Sequence, residues 1–239
     1  MKKVFLIACT ITIAFTAPAQ GLLNKAKETL NKATKGGGSS LSTEEIVAGL
    51  KEALSVGATN SSGKLSAADG FFKDAAVKIL MPEQVQKVEK KMRLLGMGKL
   101  VDNTVLSMNR AAEDASKSAA NIFISAIKKM SVSDALGILR GTDTSATSYL
   151  RNMTTAELTT AFRPVVETSL QKVDATKYWK DFFSAYNKVS SEPVNTDLTA
   201  YVTERAMKGI FYYVAEEEKK IRKDPAARVT DVLKKVFAN

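Results

Sequence analysis

Apolar residues recur every three or four positions along most of this chain, which is the spacing of one face of an α-helix. The pattern begins at Ser42 and Glu45, which have the spacing of a capping box, and Leu50 and Leu54 then continue one apolar face. We found no alternating run long enough for a sheet and no fixed-period repeat. The pattern therefore predicts an all-α fold, with a single compact multi-helix domain over residues 41–239.

Capping signals, glycines and prolines divide this domain into separate predicted helices. Ser131 with Asp134 has the spacing of a helix start, and so does Thr154 with Glu157. The predicted helices are 42–57, a helix from Pro82 to Gly96, 99–130, 131–141, 144–153, 154–173, 175–189, 196–223 and 226–237.

Residues 58–81 have a less regular pattern than the predicted helices. Phe71 and Phe72 are expected to anchor this segment in the core. Residues 77–80 are predicted to be extended, because a residue before a proline, here Pro82, is pushed out of the helical region.

The first nineteen residues have the layout of a secretory signal peptide. Two lysines precede an apolar run over residues 4–16, and Ala17 to Ala19 form a small-x-small cleavage site. The run is shorter than the roughly 20 apolar residues that span a bilayer. We therefore expect an exported protein, most simply periplasmic, with no transmembrane helix in its mature chain. As an alternative, the residues before Cys9 fit a lipobox, which would anchor the protein through a lipid on Cys9.

Residues 20–40 are predicted to form an arm ahead of the domain. A short amphipathic helix over residues 22–35 places its apolar side chains on one face, and Gly36 to Ser40 follow as a flexible linker. A helix this short is marginal by itself in water. It should therefore dock on its own domain, on a partner or on a membrane surface, and the sequence leaves these three choices open.

The composition excludes most catalytic and metal chemistry. Cys9 is the only cysteine, and the chain has no histidine. A mature protein without either residue has no disulfide, no Ser-His-Asp triad, no Cys nucleophile and no thiolate or imidazole metal site. We expect a protein that is not an enzyme and needs no metal or other cofactor, although carboxylate and Ser-Lys chemistry are not formally excluded.

The charge balance is basic. Two of the 35 basic residues lie in the leader, and the remaining 33 exceed the 25 acidic residues by 8. Export makes nucleic acid an unsuitable partner, so the available anionic partners are lipid headgroups, cell-wall polymers and acidic glycans. A positive charge of this size can also serve only to keep the protein in solution.

Several segments, in this order, resemble one known family over roughly residues 41–238. They are GLKEALSVG (49–57), DGFF (69–72), ILMP (79–82), LVDNTVLSMNRAAEDA (100–115), AIKKM (126–130), DALGILRG (134–141), YV (201–202) and EEEKKIRKDPAARVTDVLKKVF (216–237). They resemble the bacterial domain-of-unknown-function 4197 family. The resemblance implies an exported, helical envelope protein, and it supplies neither an activity nor functional residues.

A polar stripe is predicted on the 99–130 helix. Asp102, Asn109 and Glu113 are separated by 7 and 4 residues, so they lie on one side of a helix. A buried stripe would be a structural network, a binding site or a carboxylate site for a hard cation. Its two carboxylates would be about 16 Å apart along the axis, which is too far for the pair that hydrolyses glycosides.

A basic surface is predicted at the C-terminal end of the chain. The anion-binding hypothesis assigns it Lys219, Lys220, Arg222, Lys223, Arg228, Lys234 and Lys235. The simpler alternative is a solvated helix face, because Glu216 and Glu218 each precede a basic residue by one helical turn.

An aromatic cluster is predicted on the 175–189 helix. Tyr178, Trp179, Phe182 and Phe183 cannot all be buried on one narrow face, so some should be exposed or should contact two neighbouring elements. Core packing is the simpler interpretation, and a groove for an apolar or glycan ligand is the functional one.

Three functions follow from these patterns. The favoured hypothesis is a non-enzymatic binding or interaction module of the bacterial envelope, whose basic, aromatic-rich C-terminal surface contacts an anionic envelope surface or another envelope protein. The second is a carrier of a lipid or acyl chain in an enclosed apolar pocket. The third, a carboxylate-based glycan hydrolase, lacks a suitable pair of acids.

Overall fold

The computed structural model describes residues 42–172, 175–188, 193, 196–224 and 234. The described chain forms α1 (Thr43–Ser66), a 3₁₀ turn (Glu83–Val85), α2 (Gln86–Leu94), α3 (Gly98–Ser116), α4 (Ala119–Lys129), α5 (Val132–Leu139), α6 (Ser145–Gln171), α7 (Ala175–Asn187) and α8 (Leu198–Lys223). No strand occurs among these residues, which confirms the all-α prediction. The leader, the arm and nearly all of the predicted helix 226–237 lie outside the described residues.

Two predicted helix starts are confirmed by their hydrogen bonds. At α1, the Glu45 amide donates to Ser42 Oγ at 3.1 Å, and the Ser42 amide donates to Glu45 Oε2 at 2.8 Å. At α5, Ser131 and Asp134 make the same reciprocal pair. Each capping box satisfies amides that have no partner inside the helix.

The core lies between α6 and α8, with α1, α3 and α4 packed around them. Both central helices bury apolar residues at intervals of four or eight positions: Leu150, Leu158, Phe162, Val166 and Leu170 on α6, and Leu198, Val202, Ala206 and Ile210 on α8. α3 contributes small buried residues, Ala111, Ala112 and Ala115. Small side chains let helix backbones approach closely, so the middle of α3 is enclosed by its neighbours.

α1 continues beyond its predicted end near Gly57 and reaches Ser66. The extra turns contain small buried residues such as Ser61, whose hydroxyl donates to the Gly57 carbonyl at 2.7 Å. A Cβ on Gly57 would lie 3.4 Å from Glu217 Cβ on α8. The polar sequence of this segment concealed a helix that is stabilised by close packing against α8.

Three other predicted boundaries are wrong. The predicted helix 99–130 is two helices, separated at residues 117–118. The helices predicted on either side of Thr154 are one, α6, in which the Thr154 hydroxyl donates to the Leu150 carbonyl. The final long helix begins at Leu198, where Asp197 Oδ1 accepts from the Ala200 amide at 2.8 Å. Tertiary packing overrides a local start signal that falls within a continuous apolar stripe.

Residues 67–82, which we call the connector, join α1 to the 3₁₀ turn through two turns and an extended stretch. Phe71 is fully buried, as predicted, and its ring packs over Gly209 of α8. A Cβ at position 209 would lie 2.5 Å from Phe71 Cε1, so only glycine allows the connector to approach α8 this closely.

Candidate functional site

The predicted polar stripe on α3 divides into a buried part and an exposed part. Asn109 and Glu113 are buried in the core. The Asp102 side chain is 65 % exposed and accepts a 2.7 Å hydrogen bond from Arg93 Nη2 of α2. The three residues therefore do not form one site, and the buried pair is considered first.

Asn109 holds the extended part of the connector by its backbone. Its Oδ1 accepts from the Ile79 amide at 2.8 Å, and its Nδ2 donates to the Ile79 carbonyl at 2.8 Å and to the Val105 carbonyl at 2.7 Å. One side chain thus satisfies both backbone groups of a buried residue, as a neighbouring strand would do. The connector has a fixed position here without a sheet.

Glu113 holds the preceding turn of the connector. Its Oε1 accepts from the Phe71 and Phe72 amides at 3.1 and 3.2 Å, and its Oε2 accepts from Arg110 Nη1 at 2.6 Å. Arg110 also donates to Asp69 Oδ1 at 2.6 Å. The hydrogen bonds that Arg110 donates to Glu113 and Asp69 raise the pKa of Arg110. Three donors satisfy the buried carboxyl oxygens of Glu113, so this is a structural network.

A groove of about 380 Å³ lies between the connector and α8, and we call it the connector groove. It is lined by Ala76, Val77, Lys78, Ile79, Leu80, Met81, Glu83, Gln86, Tyr201, Arg205, Lys208, Gly209 and Tyr212. Its floor includes Ile79, the residue that Asn109 holds. The buried part of the polar stripe therefore positions one wall of a solvent-facing groove.

Two cations face this groove without carboxylate partners among the described residues, Lys78 and Arg205. Each lies over an aromatic ring: Lys78 Nζ is 4.2 Å from the centroid of Phe72, and Arg205 Cζ is 5.2 Å from that of Tyr201. The attraction to a ring face orients a cation without neutralising it. Both side chains therefore keep their charge available to a ligand.

The other polar groups of the groove are already ordered or open to solvent. The Tyr201 hydroxyl donates to the Leu80 carbonyl at 2.8 Å, and burial raises the pKa of Tyr201. Lys208 pairs with Glu204 at 2.6 Å. Tyr212 is 43 % exposed. Among the described residues, Glu83 is the one carboxylate that lines the groove, against the three cations Lys78, Arg205 and Lys208.

A second groove, of about 410 Å³, lies between α6 and α8. Its walls are mostly apolar or hydroxyl-bearing and include Thr155, Thr159, Met207 and Phe211. Arg151 lies at this groove with its guanidinium carbon 5.0 Å from the centroid of the Phe211 ring, and it has no carboxylate partner among the described residues.

Comparison with known proteins identifies the family. A family model described as a protein of unknown function (DUF4197) matches residues 40–238. The chain belongs to the DUF4197 family. No curated protein and no solved structure matched the sequence. Family membership thus accounts for nearly the whole described domain of this DUF4197 protein and assigns no activity to it.

The predicted basic surface of the DUF4197 chain is largely paired where the structure describes it. Lys219 contacts Glu216 at 2.8 Å, Lys220 contacts Glu217 at 4.0 Å, and Lys223 contacts Asp143 at 2.7 Å. Lys234 is helical and exposed, and Arg228 and Lys235 lie outside the described residues. Pairing with acids reduces the positive potential that an anionic partner would meet.

Arg222 has a structural position that differs from its predicted place on this surface. Its side chain is 11 % exposed and contacts Glu218 at 2.9 Å, and its Nη2 donates to the Ile138 carbonyl at 2.8 Å. Glu218 in turn accepts from the Ala146 and Thr147 amides at 2.9 and 2.8 Å. These contacts join α8 to the start of α6 and the end of α5. They also give both buried charges the partners that a charge needs inside a protein.

The predicted aromatic cluster contributes to the core through Trp179 and Phe183. Both residues are buried, and their ring centroids are 4.5 Å apart. Trp179 also stacks on Tyr201 at 6.2 Å, so α7 supports the wall of the connector groove from behind. The side chains of Tyr178 and Phe182 lie outside the described part of the structure.

The structure describes neither a metal centre nor a membrane span. Within the described residues, no group of three or more acidic side chains is placed to hold a metal ion. No described helix is long and apolar enough to cross a bilayer. Of the polar stripe, Asn109 and Glu113 support the connector through hydrogen bonds to its backbone.

Sequence reasoning missed Lys78, Arg205 and Tyr201 as site residues. Lys78 and Arg205 are 127 positions apart, and no local motif links them. The one available signal was the predicted extended stretch 77–80, an irregular backbone segment within a helical protein. Irregular segments placed on a rigid scaffold often carry binding residues.

Proposed function

We propose that this protein is a non-enzymatic binding module of the bacterial envelope and that its connector groove binds an acidic saccharide. The observation that carries the proposal is the pair Lys78 and Arg205, two cations on facing walls of one groove that have no carboxylate partner among the described residues. Anionic groups on a ligand would replace the missing partners, and charge-assisted hydrogen bonds are about twice as strong as neutral ones.

The remaining groove residues favour a saccharide over a simple anion. Tyr212 presents an exposed aromatic ring, which suits contact with the apolar face of a sugar. Gln86 and Glu83 provide polar atoms for hydroxyl groups on the same ligand. Hydrolysis of a glycoside normally needs two facing carboxylates. In the part of the chain that the structure describes, Glu83 is the single carboxylate lining this groove, and this supports binding without turnover.

The proposed location is the periplasm, and it is supported by the sequence. Residues 1–19 have the layout of a secretory signal, and the composition lacks cysteine outside that segment. Acidic saccharides of the envelope would be accessible there. A net positive charge also favours association with such polymers.

Binding of an oligogalacturonate, with a neutral galactose oligomer of equal length for comparison, tests the proposal. Calorimetry on the purified full chain should detect the acidic oligomer alone. Lys78→Gln and Arg205→Gln should each weaken it about tenfold, which corresponds to one lost charge-assisted contact. Affinity should also fall as salt rises.

The matched control is Lys220→Gln, which removes the same charge from an exposed position on α8 outside the groove. This variant should bind as the unmodified protein does. Equal losses of affinity in all three variants would mean that the net charge of the protein causes the binding. Equal binding of the neutral oligomer would also contradict a groove that selects anions.

A second candidate function is transport of an amphiphile with a carboxylate head. It is favoured by the α6–α8 groove, where Arg151 lies beside Phe211 and Met207. The described residues do not enclose this groove as the carrier hypothesis expected. Mass spectrometry of an organic extract of the purified protein tests the idea, and Arg151→Gln should reduce any recovered fatty acid. An extract without lipid would reject the carrier.

A further inference from the structure

The turn between α2 and α3 exposes consecutive apolar side chains. Leu94 is 87 % exposed and Leu95 is 77 % exposed, and Met97 follows on the same turn. Gly96 between them has φ +80°, a left-handed conformation that glycine adopts freely and that reverses the chain direction here. Aliphatic side chains at such a position are normally buried, so their grouping at a protruding turn indicates a contact surface.

α2 carries this turn away from the core. No residue of α2 is buried, and its contacts are chiefly with α3 and the preceding 3₁₀ turn. Arg93 attaches α2 to α3, because it bridges Glu89 at 3.0 Å and Asp102 at 2.7 Å. We call α2, the turn and the start of α3, residues 86–99, the basic tip.

The basic tip has a surplus of unpaired positive charge. Four of its lysines are exposed and have no carboxylate partner among the described residues: Lys87, Lys90, Lys91 and Lys99. Its one carboxylate, Glu89, is already paired with Arg93. Lys87, Lys91 and Leu94 follow one another at intervals of four and three residues, so they share a face of α2. Charged and aliphatic side chains are thus presented to the same partner.

We propose that the basic tip docks on an anionic lipid bilayer, with Leu94, Leu95 and Met97 inserted among the acyl chains. The lysines would then lie at the level of the phosphate groups, where each basic residue adds to attraction for a negative surface. A protein partner would instead need a concave apolar pocket with an acidic rim. The proposal does not depend on the connector groove, whose Arg205 lies on α8.

Flotation with lipid vesicles tests the proposal on the purified full chain. Vesicles of phosphatidylglycerol and phosphatidylcholine should carry the protein upward, and vesicles of phosphatidylcholine alone should not. Leu94→Ser with Leu95→Ser should reduce the vesicle partition constant about tenfold, since partial withdrawal of two leucines from an apolar phase has at least this effect. The triple change Lys87→Gln, Lys90→Gln and Lys91→Gln should act similarly and remove the salt dependence.

Matched controls distinguish the effect of the basic tip on vesicle binding from the effects of exposed lysines and apolar side chains elsewhere. Met153→Ser removes an exposed apolar side chain of α6, and Lys128→Gln, Lys129→Gln and Lys172→Gln remove three exposed lysines elsewhere. Both controls should float as the unmodified chain does. Circular dichroism should show the same helix content in every variant, because all the substituted side chains are exposed.

Three outcomes would overturn the proposal. The first is equal flotation with neutral and anionic vesicles. The second is unchanged flotation of the leucine variant, with loss only after deletion of residues 20–40, which would assign the membrane contact to the predicted arm. The third is loss of flotation in Arg205→Gln, which would place the lipid site in the connector groove. Normal flotation of Arg205→Gln together with its loss of oligogalacturonate would show two independent sites.

Discussion

α3 passes through two very different environments along its length. Its middle carries Asn109 and Glu113, whose polar atoms are paired inside the core with the backbone of the connector and with Arg110. Its first turn follows Leu94 and Leu95, which are mostly exposed, and no residue of the adjoining α2 is buried. The middle of this helix fixes the backbone of another segment, whereas its start follows a turn whose apolar side chains are exposed.

The difference separates residues that determine the fold from residues available for binding. Near Asn109, any change removes several contacts at once, so this region should tolerate little substitution. At the basic tip, side chains can be replaced without disturbing packed neighbours. The connector groove lies between these extremes, because its floor is held by Asn109 while Lys78 and Arg205 face solvent.

Asn109→Leu should have the largest effect on stability. The substitution leaves the buried amide and carbonyl of Ile79 without partners, and each such group costs about 1–3 kcal/mol. We expect a loss of about 3 kcal/mol in the free energy of unfolding, measured by urea denaturation. Asn103→Leu, at an exposed position on the same helix, is the control and should change stability by less than about 0.5 kcal/mol. Equal effects at the two positions would contradict a specific clamp.

Gly209→Ala should have the next largest effect, because it pushes the connector away from α8. The new Cβ would lie 2.5 Å from Phe71 Cε1 in the core, and overpacking of this kind costs about 1–3 kcal/mol. Gly137→Ala is a matched control in α5, where nothing lies within 4 Å of the added atom. That change should stabilise the protein by up to about 1 kcal/mol, since alanine favours a helix. Thermal denaturation of both variants measures these opposite signs.

The sequence predicted those features of α3 and of the helix starts that depend on the spacing of nearby residues. Residue intervals placed Asn109 and Glu113 on one side of a helix, and the capping boxes placed two helix starts. Spacing could not show that Asn109 meets Ile79, 30 positions away, because hydrogen bonding to a non-repeating segment leaves no periodic signal. The Thr154 start was wrong for the related reason that a local motif does not report the neighbours of a helix.

Helical spacing also could not predict that the last turn of α2 is exposed. Val85, Val88, Met92 and Leu95 form an apolar stripe at helical spacing, but only Val85 is buried. A stripe shows which residues share a face, and the number of packed neighbours decides whether that face is covered. α2 lies mainly against α3, so its last turn remains in solvent.

Acid should weaken the attachment of the connector to α8. Burial acts to raise the pKa of Asp74, but hydrogen bonds from Tyr213, the Ala76 amide and Lys64 hold that pKa below its ordinary value of 3.8. A depressed folded-state pKa gives stability that is present above the ordinary value and is lost as pH falls through the folded-state value. Urea denaturation at a series of pH values should show this loss below about pH 4.

The Asp74→Asn variant tests the assignment of that pH dependence. It should reduce stability by about 1 kcal/mol at neutral pH, because it removes charge-assisted contacts with Tyr213 and Lys64. The same variant should show a smaller decrease between pH 5 and pH 3 than the unmodified chain. An identical pH profile in both proteins would mean that other carboxylates cause the acid effect.

Substitution at the tip should have the smallest effect on folding and is the sharpest test of the contrast. Leu94→Ser with Leu95→Ser removes two exposed side chains, so the free energy of unfolding should change by less than about 0.5 kcal/mol. Urea denaturation of this variant beside Asn109→Leu compares the two ends of the contrast in one experiment. A loss of more than about 2 kcal/mol would mean that the leucines pack against part of the chain, and the tip could then not be free to meet a membrane. Near-neutral stability with lost vesicle binding is the expected combination, because a docking residue contributes little until its partner is present.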